Sequence, residues 1–103
     1  MIHVVAVITA KAGERAAILE AFHANVPAVL AEDGCIEYNA VIDTANGPAF
    51  QTPAGPDTFM VIEKWASLEA LQAHAAAPHM AAYAAKARPH IANRVVHVLS
   101  SAF

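Results

Sequence analysis

Between Glu63 and Tyr83 the sequence reads EKWASLEALQAHAAAPHMAAY, and this stretch holds most of the chemistry the chain has to offer. It supplies a carboxylate (Glu63), an indole (Trp65), two imidazoles (His74 and His79) and a phenol (Tyr83). Histidine titrates nearest neutral pH, so His74 or His79 can take a proton from a weakly acidic substrate. Glu63 alternates with Phe59 and Val61 on one face of a short strand. A carboxylate in that setting must be paired, hydrogen-bonded or raised in pKa, and a structural ion pair accounts for it as readily as catalysis does. Trp65 is by type more often core than ligand contact, although its N–H needs a partner.

Other candidates lie outside this stretch. On a helix of roughly 100° per residue, Asn25 falls about 20° from Ile18, on the apolar face. There it is either a buried structural hydrogen-bonder or a substrate contact, beside the carbonyl that Pro27 leaves free. Tyr38 shares a strand face with Ile36 and Ala40 and can place its hydroxyl at a rim. His74 lies about 60° from Leu71, which predicts a half-buried ring at the edge of a helical stripe; a surface or capping histidine is the plain alternative. A metal site is disfavoured, because His74 and His79 are split by Pro78 and miss the i, i+4 pairing, and Glu63 would have to complete the set. Cys35 lacks a second cysteine and reads as a small hydrophobe. No glycine-rich phosphate loop, dinucleotide fingerprint or nucleophile elbow is present.

The elements that must position these groups follow from periodicity. Ile2 to Thr9 is β-branched and nearly continuous, which predicts a strand covered on both faces. After Ala12-Gly13-Glu14, Ile18, Leu19, Phe22, Val26, Val29 and Leu30 recur at helical steps, with Pro27 inside and a kink expected there. Cys35 to Asp43 alternates, with Ile36, Tyr38, Ala40 and Ile42 on one face. Thr44 to Asp57 carries Pro48, Pro53 and Pro56 and reads as a loop, and Phe50 at its middle predicts a docked lid or a dimer arm. Thr58 to Trp65 is a strand, and Ser67 caps a helix whose buried face is Leu68, Leu71 and Ala75. Pro78 opens a second helical stripe through Met80 and Tyr83, and Arg94 to Ser100 closes as a strand. The order is β-α-β-β-α-β, an α+β ferredoxin-like antiparallel sheet with helices on one face.

Composition sets the remaining bounds. A chain of 103 residues predicts a single domain over 1–103. It is 57% hydrophobic and only 15% charged, so a further apolar face should be hidden in a homodimer. A net charge of -3 provides no basic footprint for nucleic acid. No apolar run is long enough for a membrane span, no signal peptide is recognisable, and a lone cysteine fits a reducing cytoplasm.

The opening strand into KAGERAAILEAF, then EDGCIEYNAVID, FMVIEKWASLEALQAHAAAPHM and a final hydrophobic strand together resemble the antibiotic-biosynthesis monooxygenase family, near its small quinol-monooxygenase-like members. The most specific pieces are E-D-G-C-I-E-Y from Glu32 to Tyr38, and E-K-W followed by H-x4-H from Glu63 to His79. The resemblance implies a dimeric α+β barrel and cofactor-independent oxidation of quinol- or anthrone-like substrates by O2. In such an enzyme His74 or His79 would be the base. Trp65 and Asn25 would orient substrate oxygens, while Tyr38, Glu63, Phe59, Met80 and Tyr83 would shape the binding wall. Haem-degrading relatives carry an asparagine on the first strand where this chain has Ala6, which argues against haem. Other relatives isomerise small sugar-derived signals, and a non-catalytic ligand-binding barrel is the alternative outside enzymes.

Overall fold

The computed structural model describes residues 1–103. Four strands form one antiparallel sheet in the order β2-β3-β1-β4: β1 is Ile2–Ala10, β2 Cys35–Val41, β3 Thr58–Trp65 and β4 Ile91–Leu99. Three helices, α1 (Arg15–Leu30), α2 (Leu68–Ala75) and α3 (Pro78–Ala87), supply the connections, and a 3₁₀ turn at Arg88–His90 leads into β4. This is the ferredoxin-like α+β architecture that the order of elements predicts. No helix is long and apolar enough to cross a membrane.

Alternation decides which residues meet the helices. In β1, Val4, Ala6, Ile8 and Ala10 are buried, while the residues between them are only half-buried. Phe59, Val61, Glu63 and Trp65 do the same in β3, so Glu63 shares the helix-covered face with the core. From α1, Ile18, Phe22 and Val29 close over them, and Phe22 stacks on Tyr38 at a centroid distance of 4.9 Å. The predicted cover on both faces of β1 is absent within one chain; its outer face, with Val5 and Val7, has no helix over it.

Two local details differ from the periodic reading. A bulge between Cys35 and Glu37 puts two residues of β2 against one of β3. Tyr38 and Ala40 keep the inner face, but Ile36 is turned out at 51% exposure, and Ile42 lies beyond the end of the strand. β4 starts at Ile91, three positions before Arg94, because its first residues already pair with the end of β1. α1 runs through Pro27 without interruption, the position the periodicity gave it.

The turn before β2 is sterically exact in its demand for glycine. Gly34 has φ +83°, and a Cβ there would stand 2.7 Å from the Ala70 Cβ. That contact brings the start of β2 against α2, whose N-cap Ser67 accepts a hydrogen bond from the Ala70 N–H at 3.1 Å. At the foot of the proline-rich loop, the Asp43 carboxylate accepts from the Ala54 and Gly55 N–H groups at 2.8 and 2.9 Å. These bonds pull its pKa below the usual carboxylate range. Phe50, at the tip, is 89% exposed and meets no surface of its own chain.

Candidate active site

A cavity of about 690 Å³ lies between the inner face of the sheet and the α2–α3 arm. Its floor is β1 (Val4, Ala6 and Ile8) with Val61 and Glu63 from β3. Leu71, His74, Met80 and Tyr83 form the helical wall, and β4 contributes Arg94, Val96 and Val98 along the open edge. The volume falls within the usual range of about 300–1,000 Å³ for small-molecule sites.

The polar groups converge at one end. Trp65 follows Glu63 by two positions on the same strand face, and its indole Nε1–H donates to Glu63 Oε1 at 2.9 Å. His74 reaches toward that carboxylate from α2, with Nε2 4.0 Å from Glu63 Oε1. Its other nitrogen, Nδ1, lies 2.8 Å from Glu32 Oε2, and His79 Nε2 lies 2.8 Å from the same oxygen. A carboxylate can only accept, so both rings turn N–H toward Glu32. Neutral His74 then carries its lone pair on Nε2, the nitrogen on the cavity side. The ring is further held by Trp65 at 4.5 Å and Tyr38 at 5.5 Å between centroids.

Electrostatics follow from burial. Removal from water raises the Glu63 pKa, against the opposing pull of the Trp65 hydrogen bond and the charges of His74 and Arg94. Burial, with the Glu63 carboxylate second, also pushes the Tyr38 phenol far up. Tyr83 is raised by burial and partly offset by Arg94. Tyr38 and Tyr83 are therefore neutral hydrogen-bonding groups near neutral pH, not bases.

The sequence-predicted residues separate into two sets. Tyr38, Glu63, His74, Met80 and Tyr83 line the cavity. Phe59, Trp65, Asn25 and His79 do not. Phe59 and Trp65 are fully buried behind the floor, and the indole N–H is already committed to Glu63. Asn25 points to the far side of α3, where its amide donates to Met80 Sδ at 3.3 Å. With His79 it borders a separate depression of about 120 Å³. His74 itself is buried at 5% exposure instead of half-buried, and it is the buried residue of α2, while Leu68 is 46% exposed. The helix docks through the imidazole because Glu32 offers that ring a partner inside.

Three residues escape the sequence reading. Glu32, just past α1, is the shared acceptor for both histidines, although 42 and 47 positions separate it from them. With His74 and His79 it forms a trio whose ligand atoms all lie within 4.8 Å, replacing the Glu63-based set considered from sequence. Such a trio could hold a divalent cation, but two 2.8 Å approaches to one oxygen are the geometry of donated N–H groups. Arg88 and Arg94 are the other two; the period-2 run of Arg94, Val96 and Val98 was the available signal for Arg94.

The family model described as antibiotic biosynthesis monooxygenase matches residues 1–86. The chain belongs to that family. It is 38% identical over 101 residues to the probable quinol monooxygenase YgiN of Escherichia coli K12, covering 96% of each chain. The Shigella flexneri protein of the same name matches equally. Among solved structures, Rv0793 from Mycobacterium tuberculosis aligns with TM-score 0.78 and 25% identity, over 97% of this chain and 93% of that one. PA3566 from Pseudomonas aeruginosa aligns with TM-score 0.79 and 24% identity, over 97% and 92%. The antibiotic biosynthesis monooxygenase fold thus extends over nearly the whole chain, and its helix-covered sheet face is where the cavity and the His74 cluster lie.

Proposed function

We propose that this protein is a cofactor-independent monooxygenase that oxidises a small electron-rich aromatic substrate, quinol- or anthrone-like, with O2. One observation carries the reading: a histidine whose Nδ1–H is held by Glu32 presents Nε2 to a largely apolar cavity of about 690 Å³. The name of the Escherichia coli relative, a probable quinol monooxygenase, supports the same substrate class.

His74 Nε2 takes a proton from the bound phenol or anthrone, and Glu32 stabilises the resulting imidazolium. The aromatic anion is itself the reductant. Its electron-rich carbon adds O2 to form a peroxide, which takes the proton back from His74. Loss of water then breaks the O–O bond and leaves a carbonyl, so one oxygen atom enters the product and the other leaves as water. Apolar walls favour the step by excluding bulk water from the anion. Tyr38 and Tyr83, both neutral, can donate hydrogen bonds to substrate oxygens. In this reading Trp65 holds Glu63, and Asn25 steadies Met80.

The active form is proposed to be a homodimer joined through the uncovered sheet face, where Val95 (41% exposed) and Leu99 (46% exposed) lie outward. Phe50 would then dock on the partner as an arm. An oxygen electrode tests the reaction: hydroquinones and anthrones are assayed in the presence of a metal chelator. Substrate-dependent O2 uptake that His74→Ala lowers by roughly 10²-fold is the expected result. No uptake with any member of the panel overturns the proposal.

A further inference from the structure

We infer that the substrate carries an anionic group, of the carboxylate type, at the end away from its reacting hydroxyl, and that Arg94 and Arg88 bind it. This rests on the oxygenase reading for the reacting end, but its observations lie at the opposite end of the cavity. Of the 21 lining residues 17 are hydrophobic, which leaves Glu63, His74, Arg88 and Arg94 as the others. Both arginines stand exposed at the open edge of an otherwise apolar cavity, and neither makes an ion pair within the chain. Its ion pairs join Lys64 to Glu37, His74 and His79 to Glu32, His74 to Glu63, and His90 to Glu14. Arg15, the remaining arginine of the chain, is by contrast used structurally, donating to the Thr58 carbonyl at 3.1 Å.

Strand register separates the backbone positions of the two ends, although the Arg94 charge still reaches Glu63. Glu63 pairs with Val4 on β1, whereas Arg94 pairs with Ile8. Those partners are four residues apart, or about 13 Å at the rise of a strand. Arg88 belongs to the same end, since it lies just before Ile91, which pairs with Ala10. A flat acid that set its carboxylate between the guanidiniums would place its far hydroxyl toward His74. Planar N–H forks match a carboxylate in two-point fashion, and a neutral group in that place leaves the forks unsatisfied.

The test uses a ligand pair that O2 does not consume: 6-hydroxy-2-naphthoate and the matching 6-hydroxy-2-naphthamide, titrated calorimetrically into the full-length protein. The acid should bind at least about 10-fold more tightly than the amide, and added salt should narrow the gap. Arg88→Gln with Arg94→Gln should erase the preference by weakening the acid far more than the amide; Arg94→Lys should keep part of it. Equal affinities in the unaltered protein, no binding of the acid, or a preference that survives the double substitution would each overturn the inference. None of these readings requires turnover, so failure of the oxygenase proposal is scored separately, by the oxygen electrode.

Discussion

β3 and β4 both pair with β1, yet they have opposite surroundings. Under the helices, β3 buries Phe59, Val61, Glu63 and Trp65, and its carboxylate is held by an indole. β4 is exposed along almost all its length, with Val95, Val96, Val98 and Leu99 open and Arg94 at the cavity edge. The packed side can fix a donor or base to within a few tenths of an ångström, as the Glu63–Trp65 and Glu32–His74 hydrogen bonds require. The open side can recognise without positioning the chemistry, and it offers apolar surface to a second copy. In the proposed reading, proton transfer falls to the packed half, and selection and assembly to the open half.

The sharpest way to break that division is His74→Ala, which should lower turnover by roughly 10²-fold. The loss should shrink at high pH, where the substrate ionises unaided, and kcat followed from neutral to alkaline pH checks this. Wild-type oxygen uptake by that variant would move the base to Glu63, the other cavity-lining candidate. Next in size is Glu32→Gln, which keeps a hydrogen-bonding shape but removes the charge that orients both rings. Turnover should fall on the order of 10-fold, with KM little changed; a purely structural role would instead show as a lower melting temperature with normal kcat.

On the open side, Val95→Asp puts a charge on the outer face of β4 and should weaken self-association by about 10-fold or more. Light scattering over a dilution series measures it, and a parent protein that is already monomeric would discard the dimer.

The smallest effect concerns Glu63. Its pKa lies above the ordinary 4.5, so the folded chain holds this proton more tightly than the unfolded chain does. The stability tied to that proton is fully present below about 4.5 and is lost as pH rises through the folded pKa. Glu63→Gln, which can still accept from Trp65, should therefore be more stable than the parent near pH 8, on the order of 1 kcal/mol. The gap should close toward pH 4, as calorimetric melting at both pH values would show.

Much of the frame can be read from residues alone, because it rests on short-range rules. Strand alternation sets the faces of β1 and β3, Ser67 caps α2, Pro78 opens α3, and the element order specifies the sheet. Spacing around His74 also points to a helix that lines the cavity. What the tertiary structure decided lies beyond those periods. The bulge turning Ile36 outward is a one-residue mismatch between two strands, visible only when they are paired. Burial of His74 and the role of Glu32 depend on a carboxylate more than forty positions away, brought close by the tight approach of Gly34 to Ala70. Asn25 sits on an apolar helical face, but α3 packed beside it takes its amide and keeps it from the cavity. Local periodicity tells a side chain which face it is on; only the packed neighbours determine whether that face holds a core, a partner or a substrate.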